Sequence, residues 1–154
     1  MPNRTVAEII RRQDPAMLPV TATVQMACKV MRDRRIGAVL VTELDGRLAG
    51  LFTGRDAVGR VVAEALDPTT TPLGAVMTVG PETLKPQAPA TDALRMMQDG
   101  GYRHLPIVEG FKIAGIVSRG DFTCPEDTRL DEETGYKEIL DHTATACRPA
   151  VGAK

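Results

Sequence analysis

Apolar residues recur with helical spacing in two stretches of the chain that begin 66 residues apart. The first stretch contains Val24, Ala27, Cys28 and Met31, and the second contains Ala90, Ala93, Leu94 and Met97. Residues at i, i+3, i+4 and i+7 share one helix face, so each stretch predicts an amphipathic helix. Thr23 is a suitable N-cap for the first helix.

Two short apolar runs follow each predicted helix. The first pair, "AVLVT" and "RLAGLFT", is joined around Asp45-Gly46, a dipeptide that favours a tight hairpin. The second pair is "LPIV" and "KIAGIVS". A further helix is predicted after Thr53 from apolar residues at helical spacing: Val58, Val61, Val62, Ala65 and Leu66.

The whole pattern is an internal repeat of helix, strand, strand and helix. Later positions match at 65 residues rather than 66, as for Gly50 with Gly115, so one residue is lost in a turn. We predict a mixed α/β (α+β) fold of two pseudo-symmetric repeats, each a small sheet flanked by helices. Units of about 60 residues are marginal alone, so the repeats should pack together. The predicted divisions are repeat 1 (1–67), a linker (68–72), repeat 2 (73–123) and an acidic tail with a short helix (124–154).

The charge and cysteine content of the chain argue against several kinds of partner and site. The 154 residues carry 19 Lys and Arg against 20 Asp and Glu, a net charge of -1, which gives no overall attraction to nucleic acid or an anionic membrane. Three widely spaced cysteines indicate neither a disulfide framework nor a zinc cluster. With no apolar run approaching about 18 residues, we expect a cytoplasmic protein.

Each repeat ends its second strand in a hydroxyl residue followed three positions later by aspartate: Thr53 with Asp56, and Ser118 with Asp121. A hydroxyl and a carboxylate at the C-terminal edge of a strand can hold the vicinal diol of a ribose. The alternative is that the hydroxyl residues are N-caps and the acids complement the helix dipole. The sequence leaves both interpretations open.

These motifs resemble a known family. Two copies of a helix, a short apolar strand and G-h-x-[TS]-x-x-D, seen in "VMRDRRIGAVLV" with "GLFTGRD" and in "MMQDGGYRHLPIV" with "GIVSRGD", are similar to a tandem pair of cystathionine β-synthase (CBS) domains, called a Bateman module. The resemblance covers roughly residues 6–122. Such modules typically bind AMP, ADP, ATP, NAD or S-adenosylmethionine between the repeats, form homodimers and regulate another protein.

The resemblance implies a role for each matching position. The ribose-binding residues would be Thr53, Asp56, Ser118 and Asp121. The base-binding residues would be Ile36, Leu40, Tyr102 and Pro106, although Leu40 stands where the family usually has proline. The phosphate-binding residues would be Arg55, Arg103, His104 and Arg119. Repeat 1 has Gly37 and Ala38 opposite Arg103 and His104, so we predict unequal clefts with the Asp121 cleft stronger; the alternative is that Arg103 and His104 serve the Asp56 cleft.

The predicted function is therefore a regulatory pair that senses an adenine nucleotide and requires no cofactor. No catalytic triad or glycine-rich phosphate loop is recognisable, and no metal-ligand spacing occurs, so we predict neither an enzyme nor a metal site. The alternative function is a structural module that dimerises or docks on a protein partner with empty clefts. We expect a homodimer, because the Val58–Leu66 segment offers more apolar surface than one small pair covers.

Overall fold

The structure is a computed structural model that describes residues 4–122. The tail predicted at 124–154 lies outside the described residues. The helices are α1 (Val6–Ile10), α2 (Val24–Arg34), α3 (Gly54–Asp56), α4 (Leu73–Val76) and α5 (Ala90–Gly100). The strands are β1 (Met17–Pro19), β2 (Ala38–Thr42), β3 (Leu48–Thr53), β4 (Thr78–Val79), β5 (His104–Glu109) and β6 (Lys112–Ser118). This arrangement confirms the mixed fold with a small sheet in each repeat.

The two predicted amphipathic helices are confirmed as α2 and α5. The Thr23 hydroxyl caps α2 by accepting a 3.3 Å hydrogen bond from the Met26 N–H. Each helix buries its predicted stripe, except that Cys28 of α2 is half-buried. Each ends at a residue in the left-handed conformation, Arg35 (φ 54°) after α2 and Gly101 (φ 68°) after α5. The ends are therefore alike in backbone but differ in side chain.

Each repeat contains the predicted antiparallel hairpin. In the first, β2 pairs with β3 across a turn that includes Gly46 at φ 85°, and β1 and β4 extend the sheet to the order β1-β2-β3-β4. In the second, β5 pairs with β6. Leu18 of β1 lies parallel to Val41, and Leu84 lies parallel to Ile107, the same contact 66 residues later. The repeat in sequence is therefore a repeat in backbone pairing.

The short helices α1 and α4 each fill the core of the other repeat. Val6 and Ile10 of α1 are buried in a cluster with α5 and the second hairpin. Leu73 of α4 is buried among side chains of α2 and the first hairpin. Backbone hydrogen bonds fix both placements, from Val6 N to Ala88 O (2.9 Å) and from Leu73 N to Ala22 O (2.8 Å). Their four to five residues are too few to show helical periodicity, so the sequence pattern did not reveal them.

The helix predicted after Thr53 is shorter than expected and is not a core helix. It begins as α3 and continues as a π-helical turn, Ala57–Val62, with i→i−5 hydrogen bonds such as Ala63 N to Val58 O (2.9 Å). Of the predicted stripe, Val61 is buried, whereas Val58 and Val62 are 65% and 73% exposed. The predicted stripe also runs past the end of the helix, since Ala65 lies in the left-handed region at φ 52°.

Candidate functional site

Both hydroxyl–aspartate motifs form capping boxes at the end of their hairpin. The Asp56 Oδ2 accepts hydrogen bonds from the Thr53 N–H (3.0 Å) and hydroxyl (3.1 Å), and the Asp121 Oδ2 accepts the same bonds from Ser118 (2.7 and 3.1 Å). The capping interpretation is therefore correct for the local geometry. It uses one carboxylate oxygen and leaves the other available for a different role.

The second carboxylate oxygen distinguishes the two motifs. The Asp56 Oδ1 lies 3.5 Å from the guanidinium Nε of Arg60, and the Asp56 side chain is only 13% exposed. Arg60 also donates hydrogen bonds to the carbonyls of Val76 (3.2 Å) and Met77 (2.7 Å), so it ties the π-helical turn to α4. Within residues 4–122, the Asp121 Oδ1 has no hydrogen bond or ion pair. Only the Asp121 motif offers an uncommitted oxygen to a ligand.

A cavity of about 410 Å³ lies between the repeats on the Asp121 side; we call it the Asp121 cleft. Its lining residues come from the segment before β1, the junction of α2 with β2, and the second hairpin: Gln13, Asp14, Pro15, Ala16, Arg34, Arg35, Ile36, Gly37, Ala38, His104, Ile116, Ser118 and Asp121. Four of the twelve predicted site residues are among them: Ile36, His104, Ser118 and Asp121. The cleft thus places apolar and charged side chains of repeat 1 beside the hydroxyl–aspartate motif of repeat 2.

His104 reaches this cleft because Gly37 makes room for it. His104 lies directly opposite Ser118 in the β5–β6 hairpin. A Cβ atom on Gly37 would stand 3.2 Å from the imidazole Cε1 and Nε2 of His104, closer than most real contacts. Burial, followed by the charge of Arg103, lowers the pKa of His104, whereas Asp121 opposes the shift. The imidazole is thereby biased toward its neutral form.

Gln13 is a cleft residue that the sequence patterns did not indicate. Its side-chain amide donates to Ile116 O (2.7 Å) and accepts from Ile116 N (2.7 Å), two bonds across 103 positions of sequence. In repeat 1 the matching edge of β3 is paired by the backbone of β4. Gln13 therefore replaces a strand with a side chain and fixes one wall of the cleft to β6.

Comparison with known proteins decides the family. The sequence profile of the CBS domain matches residues 6–63 and 73–124, which is most of the chain. The chain belongs to the CBS-domain family. It is similar to the CBS domain-containing protein CBSCBSPB1 of Arabidopsis thaliana, with 35% identity over 114 residues, 74% of this chain and 21% of that protein. The CBS pair thus spans about a fifth of the length of this plant relative.

Two further proteins are similar to this chain over more of their own length. The protein YlbB of Bacillus subtilis is 32% identical over 121 residues, 78% of this chain and 81% of that protein. The solved structure of the CBS domain protein PAE2072 of Pyrobaculum aerophilum, complexed with AMP, has a TM-score of 0.76 and 25% identity, covering 84% of this chain and 99% of that one. These matches agree with the two-repeat arrangement of the CBS pair.

The remaining predicted site residues of the CBS pair lie outside the Asp121 cleft. Tyr102 donates a hydrogen bond to Glu82, and burial, followed by that carboxylate, raises the pKa of Tyr102. Gly100 permits this placement, since a Cβ there would lie 2.0 Å from the tyrosine ring. The position matching Glu82 in repeat 1 is Ala16, which lines the Asp121 cleft. At the matching positions, one repeat has a hydrogen-bonded acid and phenol and the other has apolar side chains.

The other predicted residues have structural surroundings. Leu40 is buried in a cluster with Ala38 and Leu51, and Pro106 lies in the buried part of β5 opposite Ile116. The Arg103 carbonyl accepts a 2.9 Å hydrogen bond from the Arg119 N–H, and the Gly37 carbonyl accepts the matching 3.1 Å bond from Gly54 N–H. The hydroxyl–aspartate motif of repeat 1 contains Thr53, Asp56 and the exposed Arg55, and none of the three lines the Asp121 cleft. The structure therefore brings His104 to Asp121 and leaves Arg103 out of that cavity.

Residues 4–122 show neither a metal-binding cluster nor a membrane-spanning helix. Among residues 4–122, no three His, Cys, Asp or Glu side chains come together in an arrangement that could hold a metal ion. No helix of the same residues has the length and apolar character needed to cross a membrane.

Proposed function

We propose that this CBS pair is a regulatory module, not an enzyme, and that it binds an adenosyl ligand in the Asp121 cleft. The observation that carries the proposal is the cleft itself, where the uncommitted Asp121 Oδ1 and the Ser118 hydroxyl face the apolar Ile36 and Ala16 across the repeats. A carboxylate suits the ribose diol and an apolar wall suits the base. The odd number of cysteines makes a reducing cytoplasm the compartment we propose.

The size and shape of the site support a nucleotide. About 410 Å³ lies within the usual range for small-molecule pockets, roughly 300 to 1,000 Å³. The Pyrobaculum protein, which shares this fold, is complexed with AMP. Together these points favour an adenine nucleotide over a peptide or a metal ion as the ligand of this chain.

A ligand screen tests the proposal. We expect AMP, ATP, NAD or S-adenosylmethionine to raise the melting temperature of the purified chain, because a ligand at 100 times its Kd adds about 2.7 kcal/mol to the free energy of unfolding. Asp92→Ala, which removes an exposed carboxylate of α5 outside the cleft, is the control variant and should respond like wild type. No shift with any of the four compounds would contradict the proposal.

The second candidate function is a dimerising or docking module, and one observation favours it. Val58, Val62 and Leu66 are 65%, 73% and 42% exposed along one short segment. Such an apolar face is commonly closed by a second copy of the chain around a twofold axis. We therefore propose a homodimer, with a regulated protein as a further possible occupant of its surface.

Light scattering behind a sizing column tests the dimer. We expect wild type at twice the chain mass of 16.6 kDa and Val62→Glu at the single mass. Val79→Glu is a matched control, because Val79 is also 73% exposed but lies on β4. A wild-type monomer at micromolar concentration, or equal behaviour of the two variants, contradicts this face as the dimer contact.

A further inference from the structure

The cleft is lined by positively charged side chains that the family resemblance did not indicate. At the start of β2, where repeat 2 has Arg103 and His104, repeat 1 brings Gly37 and Ala38, which carry no charge. Arg34 and Arg35, immediately before them, line the cleft instead. The run from Arg32 to Arg35 resembles an ordinary solvated helix end in sequence, and only the structure shows that its second half borders the cavity.

The side chains of Arg34 and Arg35 differ in their hydrogen bonds and ion pairs. Arg34 donates a hydrogen bond to the carbonyl of Asp14, and its guanidinium lies 3.9 Å from the carboxylate of the same residue. Arg35 makes no side-chain hydrogen bond or ion pair within residues 4–122 and is exposed. Asp14 is therefore matched by Arg34, while Arg35 supplies an uncompensated positive charge on the rim of the cleft.

The backbone at Arg35 is also unusual. Arg35 closes α2 in the left-handed region, with φ 54° and ψ 45°. The matching residue of repeat 2 is Gly101, with φ 68°, the residue type that adopts this conformation without steric cost. Non-glycine residues in this region are uncommon, and such positions concentrate at functional sites. A glycine would serve the helix end better, so the arginine calls for a different explanation.

We propose that Arg35 is an anion-binding residue of the Asp121 cleft and makes it select adenosyl ligands that carry phosphate. The proposal rests on the proposed function and adds the class of ligand. Asp121 and Arg35 line the same cavity, and a carboxylate together with a guanidinium matches a molecule with a diol and an anionic chain. A guanidinium suits phosphate because it presents several N–H donors in one plane.

The experiment compares Arg35→Gly with wild type by calorimetric titration of ATP, AMP and adenosine. We expect the Kd for ATP to rise at least about fivefold, the Kd for AMP to rise less, and the Kd for adenosine to stay unchanged. Arg35→Lys should retain most of the ATP affinity. Arg32→Ala is the matched control, since Arg32 pairs with Asp33 on the same helix end and does not line the cleft.

Melting temperatures without ligand separate binding from folding. We expect Arg35→Gly to melt about 2 to 4 °C above wild type, because glycine relieves the left-handed backbone. A variant that is more stable yet binds ATP more weakly cannot owe its loss to misfolding. Equal ATP affinity in wild type and Arg35→Gly, or equal losses for ATP and adenosine, overturns the role of Arg35 alone. Failure of wild type to bind any of the three compounds, or NAD or S-adenosylmethionine, instead overturns the proposed function.

Discussion

The Asp56 and Asp121 motifs have the same hydroxyl-to-aspartate spacing and the same capping geometry, yet within residues 4–122 only Asp121 keeps a carboxylate oxygen without a hydrogen bond or ion pair. The difference comes from outside each motif. Asp56 is followed by a π-helical turn that supplies Arg60, whereas Asp121 is the last residue of a single 3₁₀ turn, Arg119–Asp121. A duplicated sequence motif therefore does not imply a duplicated site, because the next helical turn decides what the carboxylate contacts.

The largest effect should appear at two matched glycines. A Cβ on Gly50 would stand 2.5 Å from the backbone oxygen of Thr78, while one on Gly115 would stand 2.7 Å from the side-chain oxygen of Gln13. Backbone moves less readily than a side chain, so we expect Gly50→Ala to cost about 3 kcal/mol and Gly115→Ala about 1 kcal/mol. Denaturant unfolding of both variants measures the difference. Equal losses would mean that Gln13 is as rigid as a strand.

The next effect concerns the ligand. Asp121→Ala should weaken the tightest nucleotide-binding event at least about tenfold, because it removes a charged acceptor. Asp56→Ala should leave that event intact, although both variants lose a cap worth about 1 kcal/mol of stability. Calorimetric titration of the two variants compares them directly. The reverse ranking would contradict the Asp121 cleft as the stronger nucleotide site.

Arg60 gives a way to make the two motifs more alike. Arg60→Met keeps the aliphatic stem but removes the ion pair to Asp56 and the bonds to α4, so we expect a loss of about 1 kcal/mol in the free energy of unfolding. The freed Asp56 should also tighten any weaker second binding event about threefold. Arg55→Met, an exposed neighbour, is the control for both measurements. An unchanged second event would indicate that the Arg60 pair does not limit the Asp56 motif.

The smallest effect is a pH dependence at His104. Its pKa is lowered from 6.5 in the folded protein, so the unfolded chain binds a proton first as the pH falls. The contribution of His104 to stability is then fully present above about pH 6.5 and declines as the pH drops toward the folded pKa. His104→Gln should lose less stability than wild type between about pH 7.5 and about pH 5.5. Parallel stability curves would remove His104 as the cause.

Much of the fold could be predicted from local patterns, since long stretches with helical spacing, such as the one ending at Met97, carry their own signal. Two parts could not. Val6 and Leu73 lie on helices of four to five residues whose burial depends on the other repeat. The exposed valines after Thr53 had the right spacing but the wrong surroundings, because periodicity does not distinguish a core face from a solvent face.

The candidate site was predicted in part. Ser118 and Asp121 are recognisable by position in the repeat, and His104 lies one residue before a readable strand. Gln13 and Arg35 have no such signal, because a glutamine beside a loop and an arginine at a helix end are ordinary in sequence. Their importance depends on contacts with Ile116 and with the cavity, which only the assembled repeats create.

Helix α1 packs in the core of the second repeat and α4 packs in the core of the first. The two cores therefore depend on elements that are synthesised at different times. The first core draws on residues from Ala16 to Val76, so it can be complete before most of repeat 2 has been synthesised. The second core needs Val6, the earliest of its members, and Val117, one of the last. During translation α1 must therefore wait for more than a hundred residues before its partners exist. We infer that the second core, whose hairpin carries His104 and Ser118, folds last and that the Asp121 cleft is completed with it.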